Sequence, residues 1–126
     1  MTLVLREKWK PQGVDDLEPR AWEALRQTER SVLVTAGAGA GKTEFLAQKA
    51  TYLLQTGLCP APKRILAISF KRDAARNLAE RVAKRCPAEQ ARRFNPYTFD
   101  AFAKSLVDRF GAAVPEPYCP PADYRI

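Results

Sequence analysis

Apolar positions along the chain recur at two spacings, one near 3.6 residues and one in short continuous runs, and the two alternate from one end to the other. After a short apolar alternation at 2–5, the turn-forming residues at 11–16 predict little regular structure. Leu17, Ala21, Ala24 and Leu25 then share one helical face, and Pro19 suits a first helical position, so a helix is expected from 18 to about 28. The β-branched run at 31–36 lies between charged residues and glycines and reads as a buried strand. Leu46, Ala50, Leu53 and Leu54 return to helical spacing over 43–55, with Gly57 as the stop signal. A second buried strand is expected at 65–70. Ala75, Leu78, Ala79 and Val82 mark an amphipathic helix over 72–85, ended by Pro87. A short extended piece near 97–99 leads into a helix at 100–110, with Phe99, Phe102, Ala103, Leu106 and Phe110 on one stripe and Gly111 beyond it. The tail, with four prolines between 114 and 121, reads as an extended connection.

Strand and helix alternating three times define an α/β chain, a parallel sheet flanked by helices. Three strands leave at least one edge unpaired, and a parallel sheet needs cover on both faces, so the expectation is an incomplete piece of a larger domain. Residues 1–16 read as an N-terminal extension, 17–111 as the folded portion and 112–126 as a Pro-rich connection.

Composition narrows the chemistry. The 126 residues contain no histidine, which excludes His-based acid/base catalysis, Ser-His-Asp triads and His-ligated zinc within this chain. Cys59, Cys86 and Cys119 match no metal or redox spacing and read as free thiols serving as small hydrophobes. No apolar run approaches the roughly 20 residues of a bilayer crossing. Glu7 interrupts what a signal peptide would keep apolar, so a cytoplasmic protein without membrane contact is expected. The formal charge of +7 is unevenly placed: the stretch from Lys63 to Arg109 holds twelve basic and five acidic residues and carries all of it. Such a stretch attracts a polyanion such as nucleic acid.

The sharpest local signal is Ala36-Gly37-Ala38-Gly39-Ala40-Gly41-Lys42-Thr43, set between the expected strand at 31–36 and a helix. Glycines let consecutive N–H groups turn inward onto phosphate oxygens, and the helix start adds the positive end of its dipole. In such a P-loop, Lys42 reaches the β- and γ-phosphates of a nucleotide and the Thr43 hydroxyl ligates its Mg²⁺. The first position is Ala36 where the usual pattern has Gly.

With those residues in view, the chain resembles the UvrD/Rep family of superfamily-1 DNA helicases, whose P-loop reads alike. Residues 65–75, from Ile65 through Ser69-Phe70-Lys71-Arg72 to Ala75, look like the family's motif Ia. Tyr97-Thr98-Phe99-Asp100-Ala101-Phe102-Ala103 looks like its motif Ib. The resemblance implies a P-loop NTPase of RecA-like fold, ATP and Mg²⁺ as cofactors at residues 36–43, and single-stranded DNA on Ser69, Phe70, Lys71, Arg72, Thr98 and Phe99. An exposed aromatic can stack on any base while neighbouring cations track the backbone, which agrees with that assignment. Two positions depart from the family: Ala21 stands where a Gln reads adenine, and Asp100 stands where motif Ib has His. The Ala21 side chain neither donates nor accepts, and a carboxylate at Asp100 would repel a DNA backbone.

No Asp-Glu pair follows Thr43, and Asp73, Asp100 and Asp108 do not end an apolar strand. The resemblance therefore implies the N-terminal part of a first motor domain, completed by the remaining motor domains of an intact helicase that couples ATP hydrolysis to 3′-to-5′ translocation. Alone, this chain is expected to bind nucleotide with negligible turnover. The alternative is a non-catalytic nucleic-acid-binding module with a vestigial P-loop.

Overall fold

The computed structural model describes residues 3–36 and 41–125. Among the described residues, five α-helices and two strands follow one another as α1 (Pro19–Arg26), α2 (Lys42–Gln55), β1 (Ile65–Ser69), α3 (Arg72–Arg85), α4 (Ala88–Ala91), β2 (Phe94–Thr98) and α5 (Phe99–Arg109). Single 3-10 turns add Arg6–Lys8, Gly111–Ala113 and Glu116–Tyr118. No helix among the described residues is long and apolar enough to cross a membrane.

Local chemistry sets the helix ends. Pro19 occupies the first turn of α1, where its missing N–H costs nothing. Gly41 (φ +80°) turns the chain into α2, and Gly57 (φ +75°) turns it out again shortly beyond the helix end. A side chain at Gly57 would also press on Leu3 Cδ1, 3.0 Å away. In α3, Asp73 lies in the first turn and Lys84 and Arg85 in the last, both favourable to the helix dipole. The Thr98 side chain caps α5 by accepting a hydrogen bond from the Ala101 N–H at 3.1 Å.

The strands pair in parallel, Ile65 opposite Phe94 through to Ser69 opposite Thr98, with α3 and α4 in the crossover. Pro96 lies within β2, whose one partner among the described residues is β1, and an edge strand tolerates the missing N–H.

Two expectations are corrected. The run at 31–36 forms no strand, and its residues are exposed, Leu33 at 90%. A strand exists only where a neighbour takes its N–H and C=O groups, and the described sheet has two strands, neither paired with this run. The sheet is therefore two-stranded, and one face of β1 stays open, with Leu66 and Ile68 exposed between half-buried Ile65, Ala67 and Ser69. Along the α5 stripe Phe99, Leu106 and Phe110 are exposed, and among the described residues Phe102, half-buried near the Tyr97 ring at 6.2 Å, has an aromatic neighbour. The second is Cys119, exposed where a buried or semi-buried small hydrophobe was expected, whereas Cys59 is half-buried and Cys86 buried; all three are free thiols.

Two clusters hold the elements together. Ala47, Ala50 and Leu54 of α2 meet Leu78 and Val82 of α3, Cys86, and Phe94 of β2. Burial and loss of solvation push the Cys86 thiol pKa up. Trp9, Leu25 and Tyr52 form the second cluster, with the Trp9 ring edge-on to Trp22 and Tyr52 at 6.0 and 5.2 Å. The opening segment, irregular as expected, is nonetheless anchored: Trp9 is 3% exposed and donates its indole N–H to Gln55 Oε1 at 2.7 Å. Buried Gln48 accepts from the Gln12 N–H at 2.9 Å and donates to the Gln12 carbonyl at 2.7 Å. The tail also folds back, with the Tyr124 hydroxyl donating to Asp108 Oδ1 at 2.9 Å and Lys104 Nζ 4.4 Å above its ring.

Candidate nucleotide and nucleic-acid sites

The centre of the glycine-rich loop, Gly37, Ala38, Gly39 and Ala40, lies outside the described residues. Its flanks do not. Gly41 takes the left-handed conformation that favours glycine, and a Cβ there would meet nothing within 4 Å, so backbone conformation rather than crowding sets the residue type. Lys42 opens α2 and is exposed, Thr43 follows half-buried, and the helix start carries no side-chain cap. Among the described residues, the first-turn N–H groups of α2 have neither intrahelical nor side-chain acceptors. An exposed cation, a hydroxyl and uncapped amides at one helix start fit a magnesium-bound polyphosphate in charge and donor count.

Beside it, a cavity of about 230 Å³ is lined by Ala21 and Ala24 of α1, Thr35 and Ala36, and Lys42 and Phe45 of α2. Ala21 thus borders the same space as Lys42. The position of α1 is fixed by Lys49 of α2, whose ammonium donates to the carbonyls of Ala24 at 2.9 Å, Leu25 at 2.8 Å and Gln27 at 2.6 Å. That cation caps the carbonyl end of α1, and burial holds its pKa below the ordinary lysine value. Glu44, next to Thr43, ties α2 to α3: Arg85 Nη2 donates to it at 2.6 Å and Arg81 lies 3.6 Å away. Burial raises the Glu44 pKa, but the hydrogen bond and charge of Arg85, with Gln48 and Arg81, outweigh it and hold the carboxyl below its ordinary value.

A separate groove of about 320 Å³ opens at the carboxyl ends of β1 and β2, the edge where open α/β sheets take ligands. Phe70, Arg72 and Thr98 line it together with Asp100, Lys104 and Arg125. Phe70 follows β1 and is 99% exposed. Ser69 is half-buried opposite Thr98 in register, Lys71 is the exposed residue preceding α3, and Phe99 is exposed; these three do not line the groove. Lys104 and Arg125 escaped the sequence reading. Lys104 sat among expected helix residues with no distinguishing neighbour, and Arg125 comes from the tail, whose return depends on the Tyr124 contact. Lys104 Nζ also binds Asp108 at 2.8 Å, and that hydrogen bond raises the Lys104 pKa and lowers that of Asp108.

The family model of the UvrD/REP helicase N-terminal domain matches residues 17–117, and the chain belongs to that family. It is 41% identical over 92 residues to ATP-dependent DNA helicase PcrA of Leuconostoc citreum, covering 73% of this chain and 12% of that protein. DNA helicase IV of Escherichia coli strain K12 is 36% identical over 99 residues, covering 79% of this chain and 14% of its own length. PcrA of Staphylococcus aureus strain Mu50 is 45% identical over 62 residues, 49% of this chain and 8% of that protein. The chain thus spans about one eighth of the length of the first two relatives.

Proposed function

We propose that residues 17–111 are the nucleotide-binding and DNA-contacting front of a RecA-like P-loop motor domain, part of a cytoplasmic ATP-dependent DNA helicase. Residues 36–43 cradle the triphosphate, Lys42 meets the β- and γ-phosphates, and Thr43 holds the Mg²⁺ that neutralises them. Bound Mg·ATP supplies the hydrolysable phosphoanhydride; this chain's own residues bind and orient it. Residues 1–16 are an extension and 112–126 a connection to the remaining motor domains, with which 3′-to-5′ translocation on single-stranded DNA arises. Alone, the chain binds nucleotide without appreciable turnover.

The observation that most supports this reading is the groove that gathers Phe70 and Arg72 from one segment and Thr98 from another. An exposed ring stacks on a base of any sequence, and Arg72 with Lys71 draws the phosphates alongside. Ser69, Thr98 and Phe99 complete the proposed DNA contacts. The Thr98 hydroxyl already accepts from Ala101 N–H as a cap and keeps its own proton to donate.

The test is a fluorescence-anisotropy titration of the 126-residue chain with a thymine 15-mer at low and moderate salt. Binding should weaken steeply as salt rises. Phe70→Ala should weaken it about tenfold at fixed salt, the loss of one stacking contact. Unchanged affinity in the variant would remove Phe70 from the interface. A non-catalytic module would bind DNA in the same way and leave Mg·ATP affinity undetectable.

A further inference from the structure

The groove contains one residue that a backbone-tracking surface should not have. Asp100 lines it beside Phe70, Arg72, Lys104 and Arg125, and among the described residues it makes no hydrogen bond and no ion pair. Lys104, the nearest cation on its own helix, is committed to Asp108 at 2.8 Å and to the face of Tyr124. The carboxylate therefore stands with both oxygens open, next to a fully exposed aromatic ring.

A phosphate would be repelled from that point, whereas a base edge with N–H donors would be attracted. The four bases differ there. The Watson–Crick edge of guanine offers two adjacent donors, N1–H and the 2-amino group, which match the two oxygens of a carboxylate. Adenine and cytosine each offer one amino group beside a ring nitrogen acceptor. Thymine offers one N–H flanked by two carbonyls that face the carboxylate unfavourably. Unstacked single-stranded bases present this edge freely, and a ring such as Phe70 holds a base by its face while leaving the edge to be read.

We propose that Asp100 is a specificity-determining residue that selects guanine in single-stranded DNA at the Phe70 step, accepting hydrogen bonds from N1–H and the 2-amino group. Arg72 and Arg125 hold the flanking phosphates, and the base, not the backbone, faces Asp100. This rests on the reading of the groove as a single-stranded DNA site.

The experiment compares three labelled 15-mers by anisotropy with the 126-residue chain: five TTG repeats, five TTT repeats, and five TT-hypoxanthine repeats. Spacing the guanines avoids quadruplexes, and hypoxanthine keeps N1–H but lacks the 2-amino group. The guanine oligomer should bind about tenfold more tightly than thymine, as expected for one bidentate base contact, with hypoxanthine between them. Asp100→Ala should bring the guanine-to-thymine ratio close to unity, weakening guanine binding as its two hydrogen bonds are lost while thymine binding holds or tightens. Asp100 is exposed at the start of α5, so the variant should fold as the parent does. Equal binding of all three oligomers by the parent, or a guanine preference that survives Asp100→Ala, overturns the proposal while leaving the DNA site standing. Binding of none of them at low salt overturns the DNA site itself, and this proposal with it.

Discussion

Lys42→Ala is expected to weaken Mg·ATP binding by about 10- to 100-fold, the equivalent of one lost charge-assisted hydrogen bond of about 1.5–3 kcal/mol. The reason is positional. Lys42 is the first residue of α2, exposed, and next to a helix start whose amides have no side-chain cap. Helix dipole and free N–H groups remain in the variant, so some phosphate affinity should persist. Because Lys42 belongs to neither hydrophobic cluster, the melting temperature should change little. Titration with a fluorescent ATP analogue, with a thermal melt alongside, separates the two effects. An unchanged dissociation constant would mean that the glycine-rich loop is not a phosphate cradle.

Leu54→Ala should cost about 2–5 kcal/mol of unfolding free energy, the range for deleting a buried leucine side chain. Leu54 is fully buried where α2 packs on Leu78 and Val82 of α3 and Phe94 of β2. A small domain has only about 5–15 kcal/mol in total, so the loss removes a large share of it and, at the lower end of that range, leaves the variant partly unfolded near room temperature. The same contacts join the helix that begins at Lys42 to the strands that end at the groove. Leu54→Ala should therefore lose nucleotide and DNA binding together, unlike Lys42→Ala or Phe70→Ala, which should each lose one. Urea unfolding followed by circular dichroism gives the measurement, and a loss of stability below about 1 kcal/mol would show that the site collapses without a cavity.

How far the sequence was legible depended on whether an element's pattern was local. The bounds of α3 follow from its own stripe and from Pro87, and they agree with the structure. The ends of α2 follow from Gly41 and Gly57. A strand depends on partners instead, and residues 31–36 have the composition of a buried strand without a neighbour to pair with among the described residues. The α5 stripe has the right period for burial, but nothing described covers Phe99, Leu106 or Phe110. Trp9 was missed for the opposite reason: in an irregular segment a buried residue leaves no periodic trace.

The candidate sites divide in the same way. Phe70, Arg72 and Thr98 were legible because each belongs to a contiguous motif, and the parallel pairing of Ser69 with Thr98 brings the two motifs together. Arg125 reaches the groove through a tail whose return rests on one tyrosine, and no local pattern encodes that. Asp100 was visible in the sequence as a departure, but its place beside an exposed ring was not.

On the proposed reading, single-stranded DNA lies across the carboxyl ends of β1 and β2. Photocrosslinking the 126-residue chain to a 4-thiothymine 15-mer, followed by mass spectrometric mapping of the attached peptides, decides whether it does. Crosslinks within residues 65–72 and 97–104, lost on competition with unlabelled strand, are the predicted result. Crosslinks confined to other basic stretches, such as the Lys8 and Lys10 segment, would contradict it.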